Sequence, residues 1–354
     1  AGLAEADAFT LRTRLGWKTA SRNGVSGLIE FEDVRDLGGD FNDGIPPAEP
    51  YATIGDPAST ELNRLQLTWR ASEHFSATVG RQNVEFDDKR FLDGSNARQD
   101  SRTQDALRAD LSFGATKATY VYIDHVNNTT ADLNDWESES HLLNVSHTFS
   151  PALKLTGFVY AFDFEPPAVA SSTRFVGVRA TGQVEAGEVR FDYAASFVNQ
   201  QDYGAATANY ELDYWQASLR ATHGEWSAQV WYESLEGDGA RGFFTPLGSS
   251  NSFHGWAGAF VSKPADGLND FNVLVSYSPE WAPEALADLT FMVRYYEFEA
   301  ERTGVDFGNE IDLMASADLT ERLSLTLKSD DYEGGGPGSP ADMMRTWIGL
   351  EYKL

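Results

Sequence analysis

The chain has 354 residues, 42% apolar and 23% charged, and its 54 Asp and Glu outnumber 27 Lys and Arg to give a formal charge of −27. Its 22 Phe, 14 Tyr and 9 Trp supply ample core material, which excludes global disorder, and the absence of Cys excludes disulfide scaffolds and thiolate metal sites. The net charge argues against nonspecific nucleic-acid binding, which needs Lys and Arg patches, and no run of about 18 apolar residues exists to cross a membrane as a helix.

Ala1–Ala8 lack the charged and apolar regions of a signal peptide, as in a cytosolic protein or a processed mature chain. From there the dominant pattern is alternation with period two. The first segment, 9–19, interleaves Phe9, Leu11, Leu15 and Trp17 with Arg12, Arg14 and Lys18. Segment 25–35 follows. Segment 61–70 sets Leu65, Leu67 and Trp69 against Arg64, Gln66, Thr68 and Arg70. In 74–86 the apolar parity slips, from Phe75, Ala77 and Val79 to Val84 and Phe86, which predicts a bulge near Gly80–Arg81. Segment 102–113 alternates Leu107, Ala109, Leu111 and Phe113 with Arg108 and Asp110. Further segments fall at 115–126, 138–149, 152–164, 173–184, 187–200, 209–220, 225–235, 269–279 and 288–299. In 309–319, Ile311, Leu313, Ala315, Ala317 and Leu319 alternate with Glu310, Asp312 and Asp318. Segments 322–332 and 341–354 close the series. Strand side chains alternate faces, so each segment has one apolar and one polar face. Helical periodicity is nowhere sustained.

Each segment spans roughly 10–14 residues, longer than the ~5–6 of most globular strands and suited to the ~9–11 that cross a bilayer when tilted. Aromatics gather at segment ends, among them Trp17, Trp69, Phe75, Phe113, Phe149, Trp226, Tyr277 and Tyr352, as in interfacial girdles. Short turns follow odd segments and long loops, such as 36–60, 87–101 and 236–268, follow even ones. A soluble sandwich has no reason to sort loop lengths by parity, whereas an outer-membrane barrel does. The predicted fold is all-β: one domain over 1–354, a transmembrane antiparallel up-and-down β-barrel. Seventeen strands are visible. Bacterial barrels have even counts, so eighteen are expected in the complete barrel, with the opening strand missing here. Gly349, Tyr352 and Leu354 fit the terminal pattern read by the barrel-assembly machinery, with Leu in place of the usual Phe and Trp347 at the polar position.

An Arg facing lipid at mid-bilayer costs about 2–4 kcal/mol, so the charged half of each alternation faces the lumen. That places Arg12, Arg14, Lys18, Arg64, Arg70, Arg102 and Arg108 inside, with Arg81 joining them after the slip. The first 118 residues hold 14 of the 27 basic groups and 19 acids; the rest hold 13 and 35. A basic strip on the first five segments would face acidic walls carrying Asp192, Glu233, Glu310, Asp312 and Asp318, and low-dielectric walls would focus that field on passing ions. Mutual pairing of lumen charges is the competing account. The loop acids Asp33, Asp36, Asp40, Asp43, Asp87, Asp88, Asp93, Asp132 and Asp135 read as solubilising charge; no loop carries the spaced Asp-x-Asp-x-Asp-Gly calcium pattern. Loop 236–268 is rich in Gly and aromatics, including Phe243, Phe244, Phe253, His254, Trp256 and Phe260. Either it folds into the lumen as a constriction or it packs outward. Catalysis is not expected: no Gly-x-Ser-x-Gly elbow occurs, and His74, His125, His141, His147, His223 and His254 form no evident triad. No cofactor and no metal are called for.

The sequence resembles the alginate-export family of outer-membrane barrels over almost its whole length. The match rests on Leu11-Arg12-Thr13-Arg14-Leu15-Gly16, Gly27-Leu28-Ile29-Glu30-Phe31-Glu32, Gly38-Gly39-Asp40-Phe41-Asn42-Asp43, Gly80-Arg81-Gln82, Arg90-Phe91, Arg98-Gln99 and Phe253-His254-Gly255-Trp256. The resemblance implies a monomeric eighteen-strand channel in the Gram-negative outer membrane whose Arg-rich lumen, here Arg12, Arg14, Arg64, Arg81, Arg90 and Arg98, conducts an anionic solute, as large as a polysaccharide. Two departures stand out: the opening strand is lacking, and the acidic total is high for a polyanion exporter. The expected function is passive passage of small hydrophilic or anionic solutes, with outer-membrane lipid and lipopolysaccharide as surroundings. The alternative is a structural or adhesive barrel that anchors a surface layer through its acidic loops.

Overall fold

A computed structural model describes residues 3–94, 99–129, 134–249 and 252–354. It contains seventeen strands: β1 (Asp7–Lys18), β2 (Val25–Asp40), β3 (Ser59–Arg70), β4 (Phe75–Gln82), β5 (Thr103–Phe113), β6 (Thr116–Asn127), β7 (Trp136–Ser150), β8 (Leu153–Phe162), β9 (Thr173–Ala186), β10 (Val189–Asp202), β11 (Glu211–His223), β12 (Trp226–Leu235), β13 (Leu268–Tyr277), β14 (Ala287–Glu299), β15 (Asp306–Thr320), β16 (Leu323–Glu333) and β17 (Met343–Tyr352). Each pairs antiparallel with the next. β1 and β17 run in the same direction, and no ladder joins them among the described residues. The chain is a transmembrane antiparallel up-and-down β-barrel.

The alternation that marks the strands also sorts their faces. Leu65, Leu67 and Trp69 of β3, Val176 and Val178 of β9, and Leu219 and Val230 of β11 and β12 are exposed large apolar side chains on the outer face. On the inner face the connection 83–102 reaches from β4 across to β12, where Arg90 meets Glu233. That span requires the sheet to curve round on itself. Loop lengths keep their parity, except that the odd connection 278–286 is not a tight turn and carries the short helical turn Glu284–Leu286.

Two expectations are corrected. β2 extends to Asp40, paired with Asp7, so Asp33, Asp36 and Asp40 belong to a strand and not to a loop. The parity slip in the fourth segment is not a bulge: both ladders of β4 run unbroken through Arg81, and the strand ends at Gln82. Val84 and Phe86 change parity because they have left the sheet. A slip does occur one strand earlier, where the β2–β3 ladder shifts between Glu30 and Phe31. Asn63 is the residue left unpaired, and it turns in to donate to Glu30 Oε1 at 2.9 Å.

The barrel interior contains a packed apolar core. Phe158 and Tyr160 of β8, Phe175 of β9 and Tyr214 of β11 point inward and are buried. Two loop residues fill the space between them. Phe91 lies 5.5 Å from both Phe158 and Tyr214, and Phe243 lies 5.4 Å from Tyr214 and 5.6 Å from Phe175, ring centre to ring centre. Gly177 makes room for this stack, since a Cβ there would fall 2.3 Å from the Phe158 ring. The two loops touch each other as well: Leu92 and Leu247 form an isolated parallel bridge, and Asp93 N–H donates to Leu247 O at 2.8 Å.

The outer face predicts a sharp asymmetry between adjacent positions. Val178→Arg, on the lipid side of β9, is expected to cost about 2–4 kcal/mol, whereas Thr181→Arg, on the inner face, is expected to cost under about 1 kcal/mol. Guanidinium unfolding in lipid vesicles measures both.

Candidate functional site

The two inward loops are pinned at one point. Arg90, in connection 83–102, is 1% exposed and lies under the apolar core. Its Nε donates to Glu233 Oε2 of β12 at 3.0 Å, and one Nη donates to His254 Nε2 at 2.9 Å. The guanidinium also lies 4.8 Å from the Phe253 ring centre and 5.3 Å from that of Tyr214. His254, from connection 236–267, presents Nδ1 to Asp270 Oδ2 of β13 at 3.0 Å. Asp270 Oδ1 accepts from Asn272 at 2.7 Å, and Asn272 accepts from Arg294 Nε at 2.9 Å. One network therefore joins both loops to β12, β13 and β14.

The protonation of His254 follows from its partners. A guanidinium only donates, so Nε2 must accept and the ring proton sits on Nδ1, aimed at Asp270. This neutral ring agrees with a pKa held well below 6.5, first by burial and then by Lys263, Arg90 and Arg294. Lys263, whose ammonium donates to Phe260 O, is pushed down to about 7 by burial and by Arg90.

Glu233, His254 and Asp270 also place one ligand atom each within 4.8 Å of one another, a spacing that could hold a metal ion. The Arg90 guanidinium already supplies the positive charge there. It also holds the His254 proton on Nδ1, the very atom that would have to ligate. The donor set fits a buried ion-pair network and not a resident metal.

The sequence-predicted basic residues divide into groups. Arg14 pairs with buried Glu32 and with Ser101. Arg64 forks onto Glu30 at 3.0 and 2.5 Å, and Arg108 forks onto Asp110 at 2.9 Å. Arg12 donates to Gln99 O at 3.3 Å, and Arg102 to Asn128 at 3.0 Å. Arg70 ends β3 beside Gly24 at the short-turn rim. Arg81 is not an inner-face residue: it stands in the cross-strand row of lipid-facing Leu65 and forks onto Asp105 at 2.8 and 3.1 Å. Arg90 is buried in the loop network, and Arg98 lies outside the described residues, as does Asp132. On the acidic side Glu233, Glu310 and Asp312 are all fully buried on the inner face.

Several inner-face cations escaped the sequence reading. Arg179 pairs with Asp88 at 2.9 Å. Arg220 donates to Gln229 at 2.7 Å and lies within electrostatic reach of Arg294, Asp192 and Arg190. Arg220 and Arg294 thus each spend a hydrogen bond on a neutral amide. Beyond them, at the short-turn mouth, a cavity is lined by Arg190, Arg220, Thr222, Ser227, Ser276 and Ser278, with Glu225 and Glu280 also on its wall. The parity rule that found Arg12 would have found Arg179, Arg220 and Arg294, since each alternates with apolar residues. His254 had no such signal, because its role exists only once the loop has folded inward.

No family model matches the chain, and no curated protein matches it in sequence. Solved structures do resemble it. They include Acinetobacter baumannii OccAB2 (16% identity, TM-score 0.76, covering 98% of this chain and 91% of that one). Pseudomonas aeruginosa OpdK, solved with vanillate, gives 14% identity and a TM-score of 0.77 over 98% and 93% of the two chains. Another structure of OpdK, described as an outer membrane protein, gives 13% and 0.75 over 98% and 94%. At such identities these likenesses establish the barrel fold.

Two predictions follow from the loop network. Arg90→Ala leaves Glu233 buried without its cation, and breaking a buried pair in this way costs about 3–5 kcal/mol, measured as a lowered guanidinium midpoint. The neutral His254 has a folded pKa below its unfolded value of 6.5, so the unfolded chain binds more protons between the two. Its contribution is complete above that value and is lost as pH falls below it. His254→Gln is expected to flatten this part of the stability–pH curve.

Proposed function

We propose that the chain is a passive outer-membrane channel, porin-like, for small anionic or hydrophilic solutes. The observation that carries this reading is the pair Arg220 and Arg294 on the inner face, bound to Gln229 and Asn272 and not to carboxylates. Such guanidinium groups keep charge available for a passing anion and can act as successive weak sites, strong enough to admit a solute and weak enough to release it. The cavity beside Arg190 and Arg220 opens at the short-turn mouth, where serine and threonine hydroxyls add donors and Glu225 and Glu280 also line the wall.

Two features favour a small solute over a polysaccharide. Connections 83–102 and 236–267 both occupy the lumen, which narrows the route. The arginines on β1, β3 and β5 that would form a long basic track are largely forked onto neighbouring carboxylates. The likeness to OpdK, a structure solved with a carboxylate, vanillate, supports the same solute class. The alternating lipid-facing apolar band, with long loops on one rim, supports the outer membrane as the location.

Planar-bilayer recording tests the reading. The purified barrel is expected to show a small, anion-preferring conductance in a salt gradient. Arg220→Gln/Arg294→Gln is expected to lower the anion-to-cation permeability ratio by about twofold or more, because fixed charges lining a narrow pore set its selectivity. A barrel that conducts nothing, or a preference unmoved by the double variant, contradicts the assignment.

A further inference from the structure

The cavity at the short-turn mouth has a volume of about 310 Å³ and carries both signs of charge on its wall. The ladders place those charges in order along the barrel. Arg220 of β11 lies between Asp192 of β10 and Gln229 of β12. Two residues nearer the rim, Thr222 is opposite Ser227, and Ser227 is opposite Ser276 of β13. Beyond these hydroxyls come Glu225, in the turn from β11 to β12, and Glu280, in the connection from β13 to β14. From lumen to rim the wall therefore reads guanidinium, hydroxyl, carboxylate. Alternate residues of a strand stand roughly 7 Å apart, so the two charged ends are separated by the length of a small molecule.

Neither end is neutralised within the cavity. Arg220 donates to the Gln229 amide, and its charged surroundings are Arg294, Asp192 and Arg190. Asp192 is taken by Arg190 at 2.9 Å, which leaves the inner end positive. At the rim, Glu280 N–H donates to Glu225 Oε1, and neither carboxylate joins an ion pair among the described residues. Between the ends, the Ser227 and Ser276 hydroxyls lie 3.0 Å apart and offer both donors and acceptors. A simple anion is drawn to Arg220 and repelled by the rim carboxylates, and a simple cation meets the reverse. Only a solute with both charges is matched at both ends.

We propose that this cavity binds a zwitterion whose carboxylate and ammonium are several bonds apart, the chemistry of an ω-amino acid. The carboxylate sits on Arg220, the ammonium between Glu225 and Glu280, and the hydroxyls of Thr222, Ser227 and Ser276 line the stretch between. The site rests on the channel reading and narrows its solute class. It also orients the solute at the mouth, with its carboxylate toward the lumen and its ammonium toward the rim.

Three probes of similar size test the site: γ-aminobutyrate, which carries both charges, butyrate and n-butylammonium. Each is added to both sides of the full barrel in a planar bilayer, and the concentration that halves the ion current is measured. γ-Aminobutyrate is expected to block at a concentration about threefold to fivefold lower than either single-charge probe, the worth of one exposed ion pair. Glu225→Gln/Glu280→Gln is expected to raise that concentration to the value for butyrate, while butyrate blocks no more weakly than before. Glutamine keeps an acceptor for the Glu280 main chain, and heat-dependent gel mobility reports that the variant barrel is folded. Glu280→Gln alone, which leaves Glu225 in place, is the second variant and is expected to lose part of the preference. Equal or absent block by the three probes, in a barrel that conducts with an anion preference, overturns the zwitterion site and leaves the channel reading standing. A γ-aminobutyrate preference that survives unchanged in the folded double variant also overturns the site. A barrel that conducts nothing overturns the channel reading and the site with it.

Discussion

A guanidinium removed from water needs an anion within reach, and Arg90 finds its anion on the far wall of the barrel. This one requirement organises the interior. Arg90 belongs to the connection after β4, whereas Glu233 belongs to β12. Satisfying the charge draws the loop across the lumen. The second loop then supplies His254 to the same guanidinium and reaches Asp270 through its other nitrogen. The aromatic stack of Phe91, Phe243, Phe158 and Tyr214 gains its burial from this crossing. Ion pairing chooses the place, and apolar contact fills the space around it.

The rest of the inner surface follows a different rule. On β1 to β5 the carboxylate that answers an arginine is close at hand: Glu32 for Arg14 and Glu30 for Arg64 across the ladder, and Asp110 for Arg108 on the same strand. These pairs hold their guanidinium groups against the wall. On β11 and β14 the hydrogen-bond partners are Gln229 and Asn272, while Asp192 lies within electrostatic reach of Arg220, and Asp270 and Asp312 within that of Arg294. The basic path is therefore set less by the number of arginines than by which of them hydrogen-bond an amide in place of a carboxylate.

Much of the fold is legible from side-chain alternation, because strands with one apolar and one polar face print a period of two directly into the chain. All seventeen predicted segments coincide with strands, and Leu65, Leu67 and Trp69 illustrate how lipid contact selects every second residue. What alternation cannot show is where a strand ends inside a continuing alternation. Carrying the pattern past Gln82 into Val84 and Phe86, which lie in a loop, places Arg81 in the lumen, where the strand does not put it. Asp33, Asp36 and Asp40 read as loop residues because acids at a rim look alike whether or not they are hydrogen-bonded in a ladder. The interior network was less legible still. Arg90 and His254 stand out in the sequence only through the family resemblance and, for His254, as one of few histidines, since the contacts Arg90–Glu233 and Arg90–His254 join positions far apart in the sequence.

The interior is organised by the two loops being packed together inside the barrel. The chain has no native Cys, so Leu92→Cys/Leu247→Cys introduces a single reactive pair at the bridge between them. The measurement is single-channel conductance before and after oxidation, with cross-linking scored by a gel shift. Loops held side by side in the lumen predict efficient disulfide formation and a conductance that does not change on oxidation. Failure to cross-link, or a conductance that falls sharply once the loops are joined, would show that they normally lie apart and would contradict the central claim.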